Sequence, residues 1–228
     1  MKGDTDLKSL KGKQINLVQF SGSHYLMTRA LDSVGLTEKD IKIVNTSDAD
    51  MTAMFPDPSI QGMVTWKPQL SNILEQNKDA HLVFSSADIP GEINDGIIVH
   101  TELLKKNPGI GKAITGAWYE VMQILATPGA ERDKAVAAMA DASGSSVESF
   151  ENQLKTTHFY QPKEAADYVA SKQFHDGFTK IQQFSFKHGL LGDGAKSADF
   201  VGVDFQGSIT GNAQNVRLHF PVEYMSQQ

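Results

Sequence analysis

Ile15-Asn16-Leu17-Val18-Gln19-Phe20, followed at once by Ser21-Gly22-Ser23-His24-Tyr25-Leu26, decides how the rest of the chain is read. The first six residues form a short β-prone apolar run. The residues after them carry a helix start near Ser23, with Leu26, Ala30, Leu31 and Val34 on one face and Gly35 as the stop. A strand that hands over directly to a helix opens a βαβ unit. The rhythm repeats: Ile41–Asn45, Ile60–Thr65, His81–Ser85 and Gly96–Val99 read as further strands between amphipathic stretches. This alternation predicts an α/β fold with a mainly parallel sheet over residues 1–100.

From Thr101 to about His188 the pattern turns helical, punctuated at Pro108, Pro128-Gly129, Gly144 and Pro162. Ser145 and Glu148 are spaced as a capping box for a helix carrying Val147, Phe150 and Leu154. Phe174, Phe178, Phe184 and Phe186 lie in a long helical tract and are expected in the core. Gly189–Ser197 reads as a glycine-rich loop. Phe200–Phe205 and Val216–Phe220 read as two strands of a C-terminal β-hairpin joined through 207–215. Residues 101–228 are therefore expected to form a helical segment plus this hairpin.

Bulk properties narrow the function. The chain has 228 residues, 40% of them hydrophobic, enough for a substantial core. A formal net charge of −6 with scattered Lys and Arg gives no electrostatic footprint for nucleic acid or an anionic membrane. Cysteine is absent, which removes disulfides, thiolate metal sites and cysteine nucleophiles. The opening residues lack the apolar core of a secretory signal peptide, and no run reaches the roughly 18 apolar residues of a membrane span.

The residues that could carry chemistry gather at strand ends. Ser21, Ser23 and His24 stand where the first strand passes to a helix, so hydroxyls and backbone N–H groups would face a ligand there; for Ser23 alone, a helix N-cap is the simpler reading. Asp48 ends the second strand as an N-cap or a ligand acceptor, with Asp50 beside it. Trp66 follows the third strand, either to stack on a flat polar or cationic ligand or to pack in the interior. Glu92 sits in Ser86–Asp95, a polar turn or a hinge carrying carboxylates. Open α/β sheets bind ligands at the C-terminal edge of their strands, and this location joins signals that are weak singly.

Enzyme signatures are missing. There is no Gly-x-Ser-x-Gly and no His-Glu-x-x-His, and Gly109-Ile110-Gly111-Lys112 lacks the spacing of a phosphate-binding loop and reads as a helix start. His24 is the one histidine inside a candidate site, while His81, His100, His158, His175, His188 and His219 show no metal-ligand spacing with one another. No metal and no organic cofactor are expected.

Leu10-Lys11-Gly12-Lys13-Gln14-Ile15-Asn16-Leu17 with Ser21–Leu26, and Gln61-Gly62-Met63-Val64-Thr65-Trp66-Lys67-Pro68-Gln69-Leu70, resemble the solute-binding proteins of ABC importers of the sulfonate, taurine, nitrate and thiamine-precursor type. Ile89–Ile93, Gly116–Glu120 and His188–Gly192 are similar to a branch described as urea or amide transport proteins. The resemblance runs from about Leu7 to about Tyr224. It implies a type II periplasmic-binding-protein-like fold, here incomplete because about a hundred N-terminal residues of the first lobe have no counterpart. It also implies a small polar solute, an ABC permease as partner, a periplasmic location and no enzymatic activity. Residues 101–228 would then be partly a remnant of the other lobe. The mixed site chemistry favours a nitrogen-containing solute. Two alternatives are a stand-alone interaction protein derived from a truncated binding protein, and an enzyme of the pyrimidine-precursor-synthase type, which would need a cysteine-rich motif. A face left bare by a missing lobe would favour homo-oligomers.

Overall fold

The computed structural model describes residues 1–3 and 5–225. The chain divides into two compact units, Met1–Asn94 with Lys180–Ala198, and Asp95–Thr179 with the C-terminal stretch from Asp199.

In the first unit, β1 (Gln14–Leu17) lies between β2 (Lys42–Asn45) and β3 (Gly62–Met63), and both pairings are parallel. Ile15 stands opposite Ile43 on one side and Gly62 on the other. A Cβ on Gly62 would come within 2.8 Å of Ile15 Cδ1, so a larger residue there would displace that side-chain end. The central strand is more buried than β2: Ile15, Asn16 and Leu17 are buried, whereas no residue of β2 is. Ile15 and Leu17 are fully buried with Leu10, Met27, Leu31 and Val64. α1 (Gly22–Ser33) supplies Met27 and Leu31 to this core, and Gly35 adopts φ 74° just beyond its end, as the sequence predicts. α2 (Asp48–Met54) and α3 (Gln69–Gln76) follow β2 and β3.

Two expected strands do not form. His81–Ser85 forms no ladder; near its start are a single bridge between Lys2 and Ala80, the His81 N–H donated to the Met1 carbonyl at 2.8 Å and the Met1 amine donated to the His81 carbonyl at 2.7 Å. Gly96–Val99 is likewise irregular, and Ile98 is 85% exposed. β-branched composition favours a pleated surface only where a neighbouring strand takes the backbone hydrogen bonds.

The second unit contains α4 (Thr101–Lys106), α5 (Gly109–Ala126), α6 (Ala130–Ala142), α7 (Val147–Leu154) and α8 (Pro162–Val169). α9 (Lys172–Lys187) begins in this unit, and its residues from Lys180 onward belong to the first. Pro108 precedes α5 and Pro162 opens α8, both as read from sequence. The cap of α7 is displaced by one residue: Ser146 accepts from Ser149 N at 3.1 Å, while Ser145 receives a side-chain bond from Gln153.

The C-terminal strands depart from the expected pairing. β4 (Gly202–Phe205) pairs antiparallel with β5 (Ser208–Thr210), so the hairpin turns at Gln206-Gly207. β6 (Val216–His219) pairs with β4 in parallel, not as the second arm of a hairpin. The 207–215 stretch is long enough to hold an extra strand and reverse the direction twice. Phe174, Val169, Val203 and Phe205 form the core of this unit, with Phe205 stacked on Phe220 at 5.4 Å. Phe184 packs in the first unit against Tyr25 and Ile89, and Phe186, expected in the core, is 38% exposed. Among the described residues no helix is long and apolar enough to cross a membrane.

Candidate functional site

Three strand-to-helix passages lie at the C-terminal edge of the β2-β1-β3 sheet. After β1 the chain reaches Phe20, whose φ of 64° places a non-glycine residue in the left-handed region. Ser21 then caps α1: its Oγ accepts from Ser23 N at 3.1 Å and donates to the Val18 carbonyl at 2.7 Å. Ser21 is thus the N-cap, and Ser23 is a buried first-turn residue. After β2, Thr46 takes the Asn16 amide at 2.9 Å, and Asn45 Oδ1 accepts the Gln19 N–H at 2.9 Å. These bonds tie the ends of β1 and β2 together.

Asp48 joins the second passage to the third. Its Oδ1 accepts from Thr65 Oγ1 at 2.7 Å and its Oδ2 from Gln69 Nε2 at 2.6 Å. The carboxylate needs a donor, which fixes the Gln69 amide with its nitrogen toward Asp48. Gln69 Oε1 is then a buried acceptor with no donor. Trp66, at the entry to α3, is 46% exposed. Ser21, Asp48 and Trp66 therefore occupy one sheet edge. Thr65 and Gln69 belong with them; sequence reading missed Gln69, although its place three residues after Trp66 at a helix start is the kind of position that binds.

Glu92 belongs to a different cluster. Tyr25 Oη donates to Oε2 at 2.7 Å, Arg29 Nε to Oε2 at 2.7 Å, and Lys180 Nζ to Oε1. Burial alone would raise the carboxyl pKa, but donation from Arg29, Lys180 and Tyr25 outweighs it and holds Glu92 down at about 2. Burial and the same carboxylate push the Tyr25 phenol up. Both Glu92 oxygens are occupied within the chain.

His24 is buried beneath the Phe20–Ser21 turn, with Glu38 and His188 beside it; ligand-type atoms of the three lie within 4.8 Å of one another. Sequence spacing gives no hint of this trio, because His24 and His188 are far apart in the chain. The hydrogen bonds do not suit a metal. Phe20 N–H is donated to His24 Nδ1 at 3.2 Å, so a neutral ring carries its proton on Nε2, the nitrogen facing Glu38, where a metal would need a lone pair. Glu38 already accepts from Lys187 Nζ and Thr28 Oγ1, each at 2.8 Å.

The chain belongs to the NMT1-like family, whose match covers residues 7–140. The fold of this NMT1-like chain is that of periplasmic binding proteins. The periplasmic aliphatic sulphonate binding protein SsuA from Escherichia coli is similar over 82% of this chain and 60% of its own, at 19% identity and a TM-score of 0.61. The alkanesulfonate-binding protein SsuA from Xanthomonas axonopodis pv. citri, bound to MOPS, is similar over 83% and 62%, at 18% identity and a TM-score of 0.59. The periplasmic sulfonate-binding protein SsuA from Methylobacillus flagellatus KT is similar over 82% and 56%, at 20% identity and a TM-score of 0.61. The NMT1-like chain thus spans less than two thirds of the length of these structures. A search of curated proteins gave no match.

Proposed function

We propose that this chain is a solute-binding component of an ABC-type importer, acting in the periplasm with a membrane permease, and that it captures a small polar, nitrogen-containing solute. Ser21, Asp48 and Trp66 line the site, Ser23 and His24 support the first turn from beneath, and Glu92 holds the segment behind α1. The observation that carries the choice of solute is the pair formed by Asp48 and Gln69. An acceptor-only carboxylate stands beside a carbonyl oxygen that lacks a donor. Such a pair selects N–H groups over the oxygens of an anion. The exposed indole of Trp66 adds a stacking face worth about 0.5–2 kcal/mol to a flat or cationic group.

A sulfonate is the second reading. The three solved relatives are named as sulfonate-binding proteins. The positive end of the dipole of the twelve-residue helix α1 suits an anion. Tryptophan emission separates the two, measured in Trp118→Phe so that Trp66 alone reports. Saturable change with acetamide or urea, and none with ethanesulfonate, is expected. The reverse result would replace the nitrogen-containing solute by an anion. A response that survives Trp66→Phe and disappears in Trp118→Phe would remove the site from this edge. Mass spectrometry of the purified chain for a co-purified small molecule tests binding independently of the probe.

A further inference from the structure

Among the described residues, Phe20 and Gln206 are the non-glycine positions with positive φ. A left-handed aromatic residue costs of order 1 kcal/mol or more and persists only where its surroundings hold it. What holds Phe20 is visible. Its N–H bonds to His24 Nδ1 at 3.2 Å, and its ring packs 5.8 Å from the His24 ring and 5.7 Å from that of His188. The next residue, Ser21, caps α1. One imidazole nitrogen therefore fixes the turn that opens the helix.

The same ring is poised for a second proton. His24 Nε2 is buried and lacks a hydrogen-bond partner, although Glu38 Oε1 lies 3.2 Å away, close but out of line. The other charged and titratable groups at this point are His188, whose Nε2 lies 3.1 Å from Glu38 Oε1, and Lys187, whose Nζ lies 2.8 Å from Oε2. Phe184 closes the remaining side, edge-on to His24 at 5.2 Å. Glu38 draws a proton to His24, whereas burial, His188 and Lys187 oppose it.

We propose that His24 is a proton-operated latch on the Phe20–Ser21 turn. The neutral ring accepts the Phe20 N–H at Nδ1 and keeps the turn in its left-handed form. A second proton can enter only at Nδ1, because Nε2 already carries one, and it makes that nitrogen a donor facing a donor. The Phe20 N–H is expelled, the positive charge is balanced by Glu38, and the turn that presents Ser21 loosens. Burial holds the His24 pKa below its usual 6.5 against the pull of Glu38, which places the event below pH 6.5 and leaves the latch closed at neutral pH. The consequence for solute capture rests on the reading that Ser21 lines the site; the latch itself does not.

The test uses the full chain, nitrogen-15 labelled and free of solute, followed by NMR between pH 7.5 and 4.5. At neutral pH His24 is expected as the Nε2–H tautomer. On acidification it should gain a proton at Nδ1 with a midpoint below 6.5, and the hydrogen-exchange protection factor of the Phe20 amide should fall at least tenfold in the same step. Using the protection factor removes the intrinsic pH dependence of exchange. His24→Asn keeps an acceptor near the Nδ1 position without titrating, and should abolish the fall. If that variant does not fold, the tautomer and the coupling in the unaltered chain still decide the matter. The latch is overturned by an Nδ1–H tautomer at neutral pH, or by Phe20 protection that ignores His24 titration. Stoichiometric displacement of the His24 and His188 ring resonances by Zn²⁺ would overturn it too, making the trio a metal site. A coupled titration without any Trp66 response to acetamide, urea or ethanesulfonate would confirm the latch while sinking the solute reading.

Discussion

Arg29 Nε lies 2.7 Å from Glu92 Oε2, an ion pair between residues 63 apart in sequence. Glu92 stands two residues before the chain leaves the first unit, and Lys180, which bonds its other oxygen, is the residue at which the chain returns. One carboxylate thus secures both segments, with Arg29 and Tyr25 of α1 as anchors. Glu92→Gln keeps the shape and removes the charge, leaving Lys180 without this carboxylate and Arg29 with Asp32 in its place. A loss of about 2–4 kcal/mol is expected, because breaking a mostly buried pair costs far more than an exposed one contributes. Urea unfolding gives the number. A change below about 0.5 kcal/mol would show that Glu92 does not secure these segments.

Stability should fall in two pH windows. His24 has its pKa lowered by folding, so the unfolded chain binds that proton more readily. Its contribution is complete above 6.5 and is lost as pH falls through the folded value. Glu92, held near 2 against an ordinary 4.5, contributes fully above 4.5 and loses its share as pH drops from there toward 2. Glu38 is lowered too, through Lys187, Thr28 and His188 acting against burial, and shares the lower window. Urea midpoints across pH 7.5 to 3 should therefore show an upper step absent from His24→Asn, and a lower step reduced but not erased in Glu92→Gln. An unchanged upper step in His24→Asn would assign it to another group.

Glycines in the second unit separate crowding from freedom. A Cβ on Gly202 would come within 2.3 Å of the Asn212 carbonyl oxygen, which is backbone and cannot swing aside. Gly202→Ala should therefore cost about 1–3 kcal/mol by prising β4 from the 212–216 turn. Gly116, inside α5, has nothing within 4 Å of the corresponding position, so Gly116→Ala should stabilise by about 0.5–1 kcal/mol. Thermal melts of the two variants should move in opposite directions.

What sequence disclosed follows the range of the interactions. The β1-to-α1 passage was legible because Ser21-Gly22-Ser23, Leu31 and Gly35 act within a few residues of one another. Parallel pairing of β1, β2 and β3 followed from the strand-helix rhythm. The failure of His81–Ser85 and Gly96–Val99 to become strands was not legible, since a ladder depends on a neighbour that composition does not specify. The β4–β6 pairing is parallel for the same kind of reason: two apolar runs fix the strands and leave their direction open. Glu38 and His188 meet across 150 residues, beyond any local pattern. Gln69 stood out only once Asp48 was seen to fix its amide.

Ser21 offers the sharpest separation of a structural role from a binding one. Its Oγ satisfies the Ser23 N–H, and Ser146 Oγ does the same for Ser149 at the start of α7, each at 3.1 Å. Ser21→Ala and Ser146→Ala each remove an N-cap, the former also the bond to the Val18 carbonyl, and each should cost about 1–2 kcal/mol of stability. Ser146 belongs to the second unit. If Ser21 also faces the solute, Ser21→Ala should weaken the Trp66 response about 5–10-fold, equivalent to about 1–1.4 kcal/mol, while Ser146→Ala leaves it unchanged. The comparison is made in the Trp118→Phe background with whichever of acetamide, urea or ethanesulfonate binds. Equal affinity in the two variants would make Ser21 a helix cap alone and move the solute toward Asp48 and Gln69.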